Sequence, residues 1–556
     1  MKSIACMPAQ LTLRDEIAEA PNFDDDLIRY IADLSPMYAE HEVVRRSSPR
    51  VPVPLAFYVD GVQYAKRSSI TGFWLVNMVS QTRHLVLTLR KGSLCQCGCH
   101  GWCTLWVAFR FMHWMLESLA VGTHPSVRYD GTAFRPDEKN LIENAGKPGP
   151  LGAVVYVKAD LAEFGTTLGF WGSASALFPC FLCEARKDNL LGLADWDAAT
   201  PPFRARTWGD YNSACDRCEQ WRFITRDQHL ALRGLLFEDR RKTGRGLCLR
   251  ADYPPLALLK DDRLEPWDGC MDIEQFEKLS QFPAKVMFWR RACEGFTHHR
   301  NPMFSESVGL FPGTSLALDW LHTLSLGIFQ TWCSFALVKL FEEDAWRTSS
   351  PNMDTRVFLS VTSMSTDLEH WIRAQNRAGR KLTEVGALKS EMFGTPSKPK
   401  FGLKAGETNA FLEYMVERLV PDKLGFLGSD ARTIVDAGNC LFELLKLIRL
   451  YPKRFPVRAI EAYHRNAKTY LEKMELLLVN PKPKDHMLIE MSNGIPFLGS
   501  PQLYANWQDE GLNRLLRDVA SGAHSSVHDR RILVEFRKAH ENDSRGRTTA
   551  KRQRIE

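Results

Sequence analysis

Between residues 55 and 90 the β-branched, aromatic and aliphatic positions gather into three short runs, 55–59, 70–80 and 84–90, parted by brief polar links. Such runs predict three consecutive strands forming a meander. VPVP at 51–54 marks the entry to this regular region, and the residues before it read as a leader with one amphipathic stretch at 25–34. A run at 105–121 is apolar on most faces and predicts a long buried helix, and 152–159 predicts a buried strand that ends on Asp160. From about residue 190 to 480 the pattern turns mainly helical, with candidates at 316–341, 408–420, 431–450 and 457–478. A further amphipathic helix starts near Asp509, where Leu512, Leu515, Leu516 and Val519 repeat at i, i+3, i+4 and i+7. No internal repeat or low-complexity tract interrupts this order. The expected class is α/β: a leader at 1–50, a first part of the core at 51–190, a helical insertion at 191–480, the end of the core at 481–536 and a basic tail at 537–556.

Composition narrows the picture. At 556 residues the chain exceeds one simple domain, and 44% hydrophobic with 11% aromatic residues supplies a sizeable core. No stretch approaches the roughly 18 uninterrupted apolar residues of a membrane span, and the acidic first thirty residues lack the regions of a signal peptide, so an intracellular chain without a membrane partner is expected. In that setting fourteen cysteines, several at short spacing, point to zinc rather than to disulfides. A net charge of +6 permits an acidic partner without demanding one. The tail from Arg537 carries seven Lys or Arg against three acids and ends in Lys551, Arg552, Gln553, Arg554. It reads either as a nuclear import signal or phosphate-contacting arm, or as a solvated end.

Two aspartates follow strand-like runs: Asp60 in FYVDG and Asp160 in VYVKAD. If their strands are adjacent and parallel, both carboxylates emerge at one end of a sheet. Magnesium seeks a few carboxylates plus phosphate oxygens, and two such ions roughly 3.5 to 4 Å apart support in-line phosphoryl displacement. A third acid is needed, and Glu510 in NWQDEGLNRLLRDV lies about 200° around its helix from Leu512. Arg514 and Arg517 share its face and suit DNA phosphate. Taken singly, each acid reads more readily as a turn, cap or first-turn residue than as a metal ligand. Glu407 in GLKAGETNAFLEYM is the competing third acid.

Cys180 and Cys183 in PCFLC have the spacing that lets two thiolates share one zinc. The other half of the site is either Cys215 with Cys218 in ACDRC or the distant His486; a buried thiol pair without metal is the alternative. In CQCGCHGWC five further candidate ligands, Cys95, Cys97, Cys99, His100 and Cys103, fall within nine residues. They suit a second zinc, alone or with Cys215 and Cys218.

Together these pieces resemble the DDE transposases of the CACTA, Mirage and Chapaev superfamily and, more distantly, the RAG recombinase catalytic subunit. The resemblance runs from about 55 to 535 and is carried by VDG at Asp60, by Asp160 with GTTLGFWGSASALFPCFLC behind it, and by KPKDHMLIEMSNGIPFLGSPQLYANWQDEGLNRLL. It implies an RNase H-like core interrupted by a large, mainly helical insertion, with Asp60, Asp160 and Glu510 holding Mg2+ (or Mn2+) and Cys180, Cys183 and His486 holding a structural zinc. DWLHTLSLGIF, with Asp319 and His322, is similar to the family's D-x-x-H motif, or is a histidine that packs a helix. Where the family has a second zinc histidine this chain has Glu490, a residue that can also ligate zinc. The first fifty residues offer no recognisable DNA-binding domain, which leaves recognition to the insertion or to sequence outside this chain. The implied activity is metal-dependent DNA strand cleavage and transfer in the nucleus, with DNA as partner and a homo-oligomer left open. The alternatives are a domesticated transposase that binds DNA or chromatin without catalysis, and a zinc-stabilised helical scaffold without a nucleic acid partner.

Overall fold

Alternation along residues 53–59 sends Leu55, Phe57 and Val59 to one side and Ala56 and Tyr58 to the other, and all five are fully buried. A strand with this pattern belongs in the middle of a sheet covered on both faces. The structure, a computed structural model, describes residues 5–6, 34, 36–66, 68–94, 101–170, 179–197, 200–219, 221–223, 256–259, 286–288, 300–395, 398–399, 401–522 and 532–535. The molecule is a mixed α/β structure. Its main sheet contains β1 (Ala5–Cys6), β2 (Val53–Ala65), β3 (Ser68–Asn77), β4 (Arg83–Arg90), β5 (Gly152–Ala159) and β9 (Leu316–Leu318) in the order β1-β4-β3-β2-β5-β9. β6 (Trp221–Phe223), β7 (Leu256–Leu259) and β8 (Val286–Phe288) form a separate antiparallel sheet.

The expected meander is present: β2 pairs antiparallel with β3 and β3 with β4. β5 then lies parallel to β2, from Val53 opposite Gly152 to Tyr58 opposite Lys158, and β9 lies parallel to β5. Helix α1 (Trp102–Val121) makes the crossover from β4 to β5 and buries Leu105, Phe109, Met112 and Leu116 against the Phe57, Phe73 and Leu87 side of the sheet. The opposite side carries Ala56, Tyr58, Trp74, Val76 and Val155 and is covered by helix α9 (Trp507–Gly522) through Leu512, Leu516 and Ala520. α9 thus uses the leucine stripe read from its sequence.

Two expectations are corrected here. Asp60 does not close its strand, because β2 continues to Ala65 paired with β3; Asp60 stands just past the last residue that pairs with β5. The segment 316–341 is not helical throughout, since Leu316–Leu318 is an edge strand. Three apolar residues are too few for periodicity to separate strand from helix. From Leu321 the chain does turn helical, first as a π-helical stretch, Leu321–Phe329, and then as α3 (Gln330–Glu342), following the short α2 (Leu161–Thr166) in chain order.

Between β9 and α9 the described residues are mainly helical: α4 (Met353–Arg377), α5 (Ala405–Tyr414), α6 (Ala431–Leu450), α7 (Val457–Leu476) and α8 (Pro483–Leu498). The segment Leu321–Glu342 is long and apolar enough by composition to cross a membrane, with mean hydropathy 1.4, but 61% of that window is buried inside the molecule. Trp332, Cys333, Ala336 and Leu337 pack there against α6, so its apolar character is that of a core helix. The leader's amphipathic stretch and the basic tail lie outside the described residues, apart from Leu34.

Candidate functional site

β2 and β5 are neighbours, and their parallel pairing brings Asp60 and Asp160 to the same end of the sheet. Side-chain alternation puts Asp60 on the face of Ala56 and Tyr58, under α9. There Tyr58 Oη donates to Asp60 Oδ2 (2.8 Å), Asn513 Nδ2 of α9 donates to the same oxygen (2.5 Å), and Gly61 N–H donates to Oδ1 (2.7 Å). Asp160 caps α2, with Oδ1 accepting from Glu163 N–H at 2.6 Å. Its second oxygen is not part of that cap.

Glu510 reaches the pair because α9 is clamped to the sheet one residue earlier. Asp509 is fully buried and forms ion pairs with Lys158 of β5 and with Arg83 of β4, the latter at 2.6 Å. Burial alone would raise the Asp509 carboxyl, but the charges of Lys158 and Arg83 prevail and hold it below its usual range. Next to this clamp Glu510 is partly buried, and burial followed by the charge of Asp60 pushes its pKa up to about 7, with further repulsion from Asp319 and Asp160 against the attraction of His322. Burial also raises Asp60, and the charge of Asp160 adds to it, against the hydrogen bonds from Tyr58, Gly61 and Asn513. The three acids therefore feel one another electrostatically.

Asp319 and His322 belong to the same neighbourhood. Asp319 is 4% exposed, follows β9, and accepts from Leu321 N–H, His322 N–H, His322 Nδ1 (2.6 Å) and Asn506 N–H (3.0 Å). It fixes both the π-helical turn and the approach to α9. The other ring nitrogen, His322 Nε2, lies 3.7 Å from Glu510 Oε1. Burial lowers the His322 pKa, but the Asp319 hydrogen bond and charge outweigh it and the net shift is upward. The histidine is a link between the strand-ending Asp319 and Glu510.

Sequence reasoning did not single out Glu163. Its pKa is pushed up to about 7, by burial first and then by Asp160 and Asp60 against the Thr167 hydrogen bond. A Cβ on Gly61 would stand 2.9 Å from Glu163 Oε1, so the close approach of this fourth acid to β2 requires glycine there. The D-x-x-E spacing from Asp160 was the available signal. Glu407, the competing third acid, begins α5 and spends a carboxylate oxygen on Lys404 N–H at 2.8 Å, as a helix-start residue does.

The second constellation is sulfur-rich. One ligand atom from each of Cys180, Cys183, His486 and Glu490 lies within 4.8 Å of all the others, and this group could hold a metal such as zinc. Cys183 Sγ and Glu490 Oε1 approach His486 Nε2 to 3.2 and 3.3 Å. Both histidine and acid come from α8, one turn apart. His486 Nδ1 donates to Leu190 carbonyl oxygen at 2.7 Å, which fixes the ring and turns Nε2 toward the thiols. Leu182 and Ala185 N–H groups donate to Cys180 and Cys183 sulfurs at 3.2 and 3.3 Å. Burial raises the Cys180 thiol, but hydrogen bonding with Cys183 and the neighbouring His486 bring it down to about 6. Burial lowers His486, but the Cys180 charge overrides it and lifts the ring to about 10. Metal binding to such a donor set is coupled to the release of protons from its thiols and ring.

Of the two partners left open for Cys180 and Cys183, His486 is the one brought to them. Cys215 is buried in the helix Trp208–Glu219 beside Tyr211. Cys95, Cys97, Cys99 and His100 lie outside the described residues, as do the side chains of Cys103 and Cys218. Arg514 and Arg517 are exposed on α9, and Arg517 is paired with Asp518 at 3.1 Å. Compared with known protein families, curated proteins and solved structures, the chain gave no match in any of the three.

Proposed function

We propose that this chain is a DDE-type transposase, an RNase H-like enzyme that cleaves and transfers DNA strands at Asp60, Asp160 and Glu510. The observation that supports this reading best is the Asp509 clamp, which sets Glu510 from a distant helix among the acids at the shared end of β2 and β5. A sheet of three antiparallel strands extended by two parallel ones, with the acids at the junction, agrees with the RNase H-like assignment.

The residues suit magnesium or manganese. Burial and the repulsion of neighbouring acids raise the Asp60 and Glu510 carboxyls, charge that a divalent cation would neutralise, and Asn513 Oδ1, beside Asp60, is a buried acceptor without a donor among the described residues. Bound there, such ions would activate a water and neutralise charge on the phosphoryl oxygens during in-line displacement. Tyr58 and Asn513 hold the Asp60 carboxylate in one orientation, and the cap to Glu163 N–H does the same for Asp160. Asp319 and His322 limit where the Glu510 carboxylate can go. Arg514 and Arg517 offer charge to the DNA backbone. The Cys180, Cys183, His486 and Glu490 group, with zinc, ties the strand-following loop to α8 and serves structure rather than catalysis.

The test is conversion of supercoiled plasmid to nicked circles by the purified chain with Mg2+ or Mn2+. Wild-type protein is expected to nick, and Asp160→Asn is expected to abolish nicking while leaving DNA binding in a gel shift intact. Binding without nicking by the wild type would favour the non-catalytic DNA-binding reading, and absence of both would discard the proposal.

A further inference from the structure

Lys484, in the first turn of α8, lays its side chain across the π-helical stretch Leu321–Phe329, and its Nζ donates to Leu326 carbonyl oxygen at 3.0 Å. A Cβ on Gly327 would stand 2.5 Å from Lys484 Cδ, so the stem passes this closely over the helix because that residue is glycine. An ammonium has three donors, and this one spends a single donor on Leu326. It forms no ion pair among the described residues, whereas Lys158 is buried against Asp509. Burial lowers the Lys484 pKa, and the attraction of Asp160 and Asp319 does not fully offset it. The ammonium thus stands near two aspartates without touching either, in surroundings that favour a further negative charge.

The course of α9 defines where this cation lies relative to the acids. That helix begins beside Asp319, whose Oδ1 accepts from Asn506 N–H, reaches Asp60 through Asn513, and ends over β2, where Ser521 Oγ donates to Tyr64 carbonyl oxygen. Arg514 and Arg517 follow Asn513 and so lie on the Tyr64 side of the acids, while Lys484 lies on the Asp319 side. We propose that Lys484 is a phosphate-binding residue, its ammonium contacting a backbone oxygen of the DNA strand that crosses the acids, on the flank opposite Arg514 and Arg517. Lysine serves phosphate as a compact point charge on a flexible stem. The two N–H groups not spent on Leu326 are available to that oxygen, and the side chain is only partly buried. A strand gripped on both flanks is held in position over the carboxylates between them. The proposal rests on the reading that the chain acts on DNA and adds to it a substrate contact outside the carboxylates.

The salt dependence of duplex binding tests it, because each phosphate contact adds about 0.9 to the steepness of log affinity against log salt. A fluorescent duplex oligonucleotide is titrated with the full-length, zinc-loaded chain without added Mg2+ or Mn2+, so nicking does not enter the readout. Lys484→Met keeps the stem over Gly327 and removes the charge. It should lower the steepness by about 0.9, so that the wild type's advantage narrows roughly three- to four-fold between 50 and 200 mM salt. Lys484→Gln should act in the same way, and Lys484→Arg should restore the wild-type slope. Lys446→Met, which removes a lysine paired with Glu443 on the exposed side of α6, should leave the slope unchanged. Circular dichroism and zinc content equal to wild type certify the fold of each variant. An unchanged slope in Lys484→Met and Lys484→Gln, with wild-type binding intact, overturns the proposal while the nuclease reading stands, and marks the lysine as a counter-ion to Asp160 and Asp319 alone. A wild type that binds no duplex overturns both.

Discussion

Replacing Asp509 by alanine should loosen α9 and with it the candidate site. The carboxylate is fully buried and is shared by Lys158 and Arg83, whose side chains are 3% and 9% exposed. Removing one partner of such a buried set strands the others without compensation, at a cost of about 3–5 kcal/mol. Because every member is buried, little of this is lost to screening by solvent. Converted at about 1.4 kcal/mol per tenfold, the amide hydrogens of α9 are expected to exchange roughly 10²- to 10⁴-fold faster in the variant if they open through this helix. Hydrogen exchange read by mass spectrometry over 507–522 is the assay, with α6 as an internal reference that should not change. The companion variant, Asp509→Leu with Lys158→Met and Arg83→Met, replaces the charges by apolar groups and should recover much of the protection. The pH dependence has a definite sign. Asp509 is held below its ordinary range in the fold, so its contribution is present above the unfolded value, about 3.9, and is lost as the pH falls through the folded one. Wild-type α9 should therefore be insensitive to pH between about 5 and 8 as far as this group is concerned. Exchange in Asp509→Ala equal to wild type would show that the clamp does not hold the helix.

Three further outcomes follow from the described geometry. The purified chain should carry zinc by elemental analysis, and Cys180→Ser with Cys183→Ser should remove it and lower thermal stability, since a structural zinc contributes on the order of 10 kcal/mol apparent in small domains; unchanged zinc would leave the pair as buried thiols. Glu490→Gln should weaken zinc retention against a chelator, and Glu490→His should restore it, because either residue offers a fourth ligand from α8. Glu510→Gln should eliminate plasmid nicking whereas Glu407→Gln should not, since Glu407 is committed to the start of its own helix; the reverse result would move the third acid to Glu407.

Much of the sheet was legible because its strands carry strong local signals. Gly152–Ala159 is buried at every position and bounded by Gly and Asp, so its limits were readable to the residue. Asp60 was placed on the right strand but at a false end, because pairing partners, not propensity, decide where β2 stops. α8 carries His486 yet showed no stripe: it is buried on most sides and contains Pro496, so neither period nor composition marked it as a helix. α4 had a readable stripe, Val357, Val361, Met364, Leu368 and Ile372, that the candidate helices omitted. In the site, residue types that ligate were visible, and those that position were not. Lys158, Arg83 and Asn513 act through partners hundreds of residues away, which no local pattern encodes.

Those same separations set an order of events during synthesis. Lys158 meets Asp509 across 351 residues, and Arg83 meets it across 426. At about 5–20 residues per second a ribosome needs on the order of 20–70 seconds to cover the shorter span. Throughout that interval the Tyr58, Trp74 and Val155 side of the sheet has been made but its covering helix has not. The nascent chain thus carries an apolar sheet face and a buried-to-be lysine in water, a species for chaperones to hold. It also means that the acids of β2 and β5 are synthesised long before Glu510 can join them, so the candidate site is assembled only once the intervening helices are out of the ribosome.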